Sequence, residues 1–198
     1  MEFKINFSGT GHRYTQDEIA VVVEAMQNAD PLTQGKYRDA FEKKFCEYNG
    51  NEYAFSLNNA TSALELSAQL CLFKDSDEIV APSHTFTSSV YPFVKKGAKV
   101  VWADIDLDSR VVTLESIKKC VNPKTKAIVV VHLYGFIIPD IQKIADFAKE
   151  NNILLIEDVA QAMGTSIEGK KAGTFGDFGI FSFHSHKNIT TLGEGGML

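Results

Sequence analysis

From residue 53 onward, short apolar runs alternate with amphipathic stretches, a rhythm that restricts the chain to a sheet layered with helices. The apolar runs fall at 53–57, 78–81, 99–104, 127–132, 153–157 and 178–183, and the stretches between them predict helices over 61–73, 87–96, 114–120 and 139–151. Strands separated by helices run parallel. The reading is therefore an α/β fold, a mostly parallel sheet with helices on both faces. Two further helices precede it. Residues 15–29 carry Ile19, Val22, Val23 and Met26 at helical spacing behind a Thr15/Glu18 capping box, and 37–48 place Phe41, Phe45 and Tyr48 on one side before Gly50 ends the turn.

A chain of 198 residues with 44% hydrophobic composition has the material for such a core. Its net charge of -5, with no basic cluster longer than Lys95-Lys96 or Lys170-Lys171, argues against nucleic-acid binding. Met1 to Asn6 lack the apolar core of a signal peptide, and no apolar run approaches membrane-spanning length, so a soluble cytoplasmic protein is expected. Cys46, Cys71 and Cys120 are odd in number and far apart. His84, His132, His184 and His186 lack ligand spacing. Neither a disulfide framework nor a metal site is expected.

Sheets of this type bind ligands at the C-terminal ends of their strands, where loops and helix N-termini converge. Asn59-Ala60-Thr61-Ser62 follows the first run and opens a helix; its N–H groups and hydroxyls suit a phosphate, although N-capping is the commoner use of such residues. Phe86, in the polar loop after the second run, suits stacking on a planar ligand or, more commonly, core packing. Asp158 closes the fifth run, where its carboxylate either pairs with a cationic ring nitrogen or serves as a cap or salt bridge. Gln161 either contacts a ligand or satisfies a loop backbone. Gly164, Gly169, Gly173, Gly176 and Gly179 mark turns or close backbone approach. After the sixth run, Ser182-Phe183-His184-Ser185-His186-Lys187 leads into a glycine-rich loop. Alone, Lys187 reads as a surface lysine; together with a carboxylate, an aromatic and a phosphate seat at neighbouring strand ends, it reads as an amine that condenses with an aldehyde.

These residues resemble the DegT/DnrJ/EryC1/StrS sugar aminotransferases, pyridoxal-phosphate enzymes of the aspartate-aminotransferase fold, fold type I. The resemblance runs through Pro31 to Gly35, Asn59 to Leu64, Pro82 to Phe86, Asp104-Ile105-Asp106, Thr125 to Ile128 and Val131 to Gly135. It is most specific at Ile156 to Ala162 and at Ser182-Phe183-His184 followed by Lys187-Asn188-Ile189-Thr190-Thr191. It implies that pyridoxal 5'-phosphate bonds to Lys187 as an internal aldimine, and that Lys187 then shuttles protons. Asp158 holds the pyridinium nitrogen protonated, Phe86 stacks on the ring and Gln161 contacts its hydroxyl side. Ser182, Thr61 and the Ala60-Thr61 backbone bind the phosphate. The activity implied is transfer of an amino group from glutamate or glutamine to a nucleotide-linked keto sugar by a homodimer. A sugar dehydratase, an inosose aminotransferase and a cofactor-binding fragment without turnover are the alternatives.

The chain departs from the family pattern at Ala60, at Leu192 and in length. Ala60 occupies a position where many members have glycine. Leu192 is an apparent insertion ahead of Gly193, which implies a different loop path. Related dehydratases carry histidine in place of the lysine, whereas here Ser182 and Lys187 keep the five-residue aminotransferase register and His186 is a neighbour. Family members are nearly twice as long, so residues 1–198 are expected to be the N-terminal segment plus most of the large domain. The small C-terminal domain is expected to be missing, which would leave apolar surface exposed where it packs.

Overall fold

In the computed structural model, residues 13–198 are described; the Met1–Asn6 reading lies outside the described residues. The helices are α1 (Gln16–Asn28), α2 (Lys36–Asn49), α3 (Ala60–Leu70), α4 (Tyr91–Lys95), α5 (Leu114–Cys120) and α6 (Ile141–Glu150). The strands are β1 (Ser56–Leu57), β2 (Glu78–Pro82), β3 (Lys99–Ala103), β4 (Thr125–Val131), β5 (Leu154–Asp158), β6 (Ser166–Ile167), β7 (Lys170–Lys171), β8 (Phe178–Ser182) and β9 (Gly196–Met197). Seven of them form one sheet in the order β1-β9-β8-β5-β4-β2-β3. The ladders from β3 through β2, β4 and β5 to β8 are parallel, and β9 runs antiparallel to both β8 and β1.

The strand order reverses between β2 and β4, because the chain steps outward from β2 to β3, then returns past β2 to β4 and on to β5. Right-handed crossovers then place α3 and α4 on one face and α5 and α6 on the other. The packing agrees, since α3 lies against α4 and α5 against α6. Central strands covered on both faces have to be apolar throughout. Accordingly Ile79, Val80, Ala127, Ile128, Val129, Val130, Leu155, Ile156 and Ile180 are all buried.

The local chemistry explains where elements start and stop. The Thr15/Glu18 capping box forms as expected, with Glu18 N donating to Thr15 Oγ1 at 3.2 Å and Thr15 N donating to Glu18 Oε2 at 2.7 Å. The apolar face behind it is not covered: no residue of α1 is buried among the described residues, and Ile19, Val23 and Met26 are exposed. On α2, Phe45 packs edge-on against Phe181 at 4.8 Å and Phe41 against Phe183 at 5.2 Å, whereas Tyr48 stays exposed. Burying Phe45 and Phe181 contributes about 1.5–3 kcal/mol each, fixing α2 beside β8.

Several boundaries differ from expectation. The strand over 53–57 shortens to β1, with Phe55 adding a reciprocal hydrogen-bond pair to Leu198. The helix over 61–73 ends at Leu70. The helix over 87–96 divides into a 3₁₀ turn at Thr87–Ser89 and the short α4, because Pro92 has no N–H to give and is tolerated only in a first turn. The β6–β7 hairpin was not anticipated. Its two-residue turn places Glu168 and Gly169 at φ 51° and 81°, the pattern of a type I′ turn, on strands too short to show alternation. No helix among the described residues is long and apolar enough to cross a membrane.

Candidate active site at the strand ends

Loops after β2, β4, β5 and β8 enclose a cavity of about 500 Å³ beside the reversal point of the sheet. Ala60, Thr61, Phe86, Asp158, Gln161, Ser182 and Lys187 all line it, so every candidate residue from the sequence converges on one place. A second cavity of about 500 Å³ shares Ala160, Gln161, Ser182, His186 and Lys187 and extends to Tyr134 and Asn188, which puts Lys187 on a wall common to both. A cleft of about 550 Å³ between Tyr53, Phe55 and Phe178 contains none of the candidates.

The N-terminus of α3 supplies the first wall. Asn59 caps the helix by accepting from Ser62 N at 2.9 Å. That leaves the N–H groups of Ala60 and Thr61 as the open donors at the positive end of the helix. Capping by Asn59 therefore leaves this helix end able to receive an anion. Thr61 Oγ1 donates to Ser88 Oγ at 3.2 Å. Gly196 makes the arrangement possible: a Cβ there would lie 2.5 Å from Asn59 O and 2.6 Å from Ala60 N, so only glycine lets β9 pass beneath this helix start.

Phe86 is 68% exposed, so core packing is not its role; it stands at the cavity edge. Gln161 satisfies a loop backbone, its Oε1 accepting from Tyr134 N at 3.2 Å, and its amide nitrogen is the group left for the cavity. Ser182 closes β8 and pairs with Gly196. Lys187 follows a tight turn in which its N–H donates to His184 O at 2.8 Å; Phe183 N and Ser185 N donate across the loop to Gly195 O and Gly193 O, and Thr191 N donates to Phe183 O. Leu192 takes a left-handed conformation, φ 65°, and its side chain is exposed.

Asp158 is 4% exposed. Its Oδ2 accepts from Ser89 Oγ at 2.7 Å and its Oδ1 from Ala160 N at 3.0 Å. Burial raises the carboxyl pKa above its ordinary value. The two hydrogen bonds, then Lys187 and the His132 ring, pull it back toward ionisation.

Three groups escaped the sequence reading. Ser89 lies in the 3₁₀ turn and touches Asp158 across 69 positions of chain. His132 and Glu157 form a fully buried pair: Ile138 N donates to His132 Nδ1 at 3.1 Å, so the ring carries its proton on Nε2 and donates to Glu157 Oε2 at 3.0 Å. Glu157 also accepts from the N–H groups of Gly173, Phe175 and Gly176. His184 stands 3.6 Å from Glu194 at the cavity wall. Only the adjacency of Glu157 to Asp158 in an otherwise apolar strand signalled any of this.

The fold and the cavity define an α/β protein whose site joins an amine, a buried carboxylate and an open helix N-terminus at the switch point of its sheet. The chain belongs to the DegT/DnrJ/EryC1/StrS aminotransferase family, whose sequence profile matches residues 13–198. It is 43% identical over 166 residues to a GDP-perosamine synthase of Vibrio cholerae, covering 84% of this chain and 45% of the relative. The aminotransferase from Psychrobacter cryohalolentis superimposes with a TM-score of 0.88 at 35% identity, over 97% of this chain and 48% of that one. The E. coli GDP-4-keto-6-deoxy-D-mannose-3-dehydratase with bound hydrated PLP also superimposes at 0.88, with 28% identity over 98% of this chain and 51% of that one. The architecture is that of the fold type I large domain. The chain spans about half the length of the curated relatives it matches.

Proposed function

We propose that residues 13–198 form the cofactor-binding body of a pyridoxal-phosphate aminotransferase that moves an amino group from glutamate or glutamine to a nucleotide-linked keto sugar. The observation that carries this reading is the convergence of Lys187, Asp158, Phe86 and the start of α3 on one cavity. The residues present fit the cofactor: an open helix N-terminus for a phosphate, an exposed aromatic for a planar ring, a buried carboxylate for a cationic nitrogen and an amine for an aldehyde. The GDP-perosamine synthase relative supports a nucleotide-sugar substrate, and the PLP-bound dehydratase supports the cofactor.

When bound, pyridoxal phosphate supplies an electron sink for the charge left as a substrate carbon loses its proton. Asp158 keeps a proton on the ring nitrogen by staying anionic beside it. Lys187 would hold the aldehyde end of the cofactor, and its amine, once released, would carry a proton at the donor carbon. Ala60, Thr61 and Ser182 would anchor the phosphate, Phe86 would cover the ring, and Gln161 would offer its amide to the hydroxyl side. Lysine at 187 favours transamination over the dehydration of the histidine-bearing relatives. Exposed Phe86 and Tyr134 at the two cavities suit closure by a second copy, and we read the whole protein as a homodimer.

The test is to supply the full-length protein with glutamate or glutamine and a panel of nucleotide-linked keto sugars. Formation of an amino sugar at the expense of the donor supports the reading, and no amine product with any pair sinks it.

A further inference from the structure

Two hydroxyls stand in line behind Asp158. Thr85 Oγ1 donates to Ser89 Oγ at 2.8 Å, and Ser89 Oγ donates to Asp158 Oδ2 at 2.7 Å. Ser89 is buried and Thr85 half-buried, so the line runs from the loop after β2 inward to the carboxylate. We propose that Thr85 and Ser89 act as a directional hydroxyl relay that keeps Asp158 ionised, and that Ser89 is thereby a positioning residue for the ring nitrogen of the cofactor.

The direction of the relay carries the argument. With Thr85 donating to Ser89, the proton of Ser89 is committed to Asp158, and Oδ2 must arrive bare to receive it. Protonating Oδ2 would force both bonds to reverse together. Hydrogen bonds in series polarise one another, so the donor nearest a buried carboxylate is strengthened by the hydroxyl behind it. The backbone fixes Ser89, whose N–H donates to Phe86 O at 3.0 Å.

The alternative sources of stabilisation are weaker. Lys187, from the loop after β8, and more weakly His132, from the opposite face of the sheet, favour the carboxylate, while His184, His186 and Glu194 line the same cavity. His132 is neutral in its observed hydrogen-bond pattern. Lys187 is the group spent on the cofactor. Glu157, next in sequence, projects to the other side of the sheet, where His132 and three amides hold it. A neutral donor that persists whatever happens to Lys187 is therefore the dependable support for the charge on Asp158.

This proposal rests on the cofactor reading only for its consequence, so its test dispenses with the cofactor. The carboxyl carbon of Asp158 is followed by NMR through a pH titration of the 198-residue chain labelled at aspartate, with Asp158→Asn providing the assignment. Ser89→Ala is expected to move the titration upward by about one unit or more, the size of a lost hydrogen bond to a buried charge. Thr85→Val, a milder change at a less buried position, is expected to shift it in the same direction by less, and Ser89→Thr to restore it. A titration unmoved by both Ser89→Ala and Thr85→Val overturns the relay. A chain that shows these shifts yet never binds pyridoxal phosphate refutes the cofactor reading and leaves the relay standing.

Discussion

His132 Nε2 and Glu157 Oε2 lie 3.0 Å apart with neither side chain reaching solvent, and this pair joins the end of β4 to the glycine-rich turn ahead of β8. Glu157 collects one imidazole and three backbone donors. It fixes the strand whose next residue is Asp158, and so aligns the site without entering the cavity.

Glu157→Gln puts an amide N–H₂ among groups that can only donate. The expected loss is about 3 kcal/mol or more, the cost of breaking a buried charged network from one side. Urea denaturation of the two proteins measures it; a midpoint equal to wild type contradicts the role assigned to Glu157.

Asp158 opposes stability in the absence of a ligand. Its folded pKa lies above the ordinary value of 3.8 because burial disfavours the charge. Its favourable contribution is therefore complete below that ordinary value and is lost as pH rises through the raised folded value. Asp158→Asn should gain thermal stability over wild type as pH rises from 4 toward about 7, while losing the response to pyridoxal phosphate. Melting curves across that range check the sign: a wild-type advantage that grows with pH contradicts it.

Cys71 is buried, and desolvation pushes its thiol up to about 11. A thiol needs its anion to react. At pH 8 a disulfide reagent should leave Cys71 unmodified in the folded chain and reach all three cysteines only in denaturant, with Cys46 and Cys120, which are partly exposed, accounting for any native reaction. Peptide mapping identifies the modified sites; rapid native labelling of Cys71 counts against its buried position.

Gly196→Ala forces a methyl group against Asn59 O and Ala60 N, at distances of 2.5 and 2.6 Å. The strain of overpacking is about 1–3 kcal/mol, and it falls on the helix start assigned to the phosphate. Pyridoxal phosphate affinity should drop more than overall stability does. Titration calorimetry and melting on the same variant separate the two, and unchanged affinity excludes β9 as the support of that helix start.

The βα rhythm made the parallel sheet legible, because apolar runs such as Ala127 to Val131 have to be continuous when both faces are covered. Polar groups following such runs sit at strand ends, and the candidates Ala60, Thr61, Phe86, Asp158, Gln161, Ser182 and Lys187 accordingly line one cavity. What escaped depended on distance in the chain or on single backbone angles. Ser89 meets Asp158 only after folding, and Pro92 splits a helix whose composition otherwise reads as continuous. The apolar spacing of α1 foretold its helix correctly but gave no account of what covers it, and among the described residues nothing buries that face.

If Lys187 is the amine that holds the cofactor, borohydride reduction followed by peptide mass spectrometry will locate it there. After incubation with pyridoxal phosphate, the reduced protein should carry one cofactor mass on the peptide containing Lys187, and Lys187→Ala should lose it. Label placed on other lysines, or undiminished in Lys187→Ala, would show that Lys187 does not hold the cofactor.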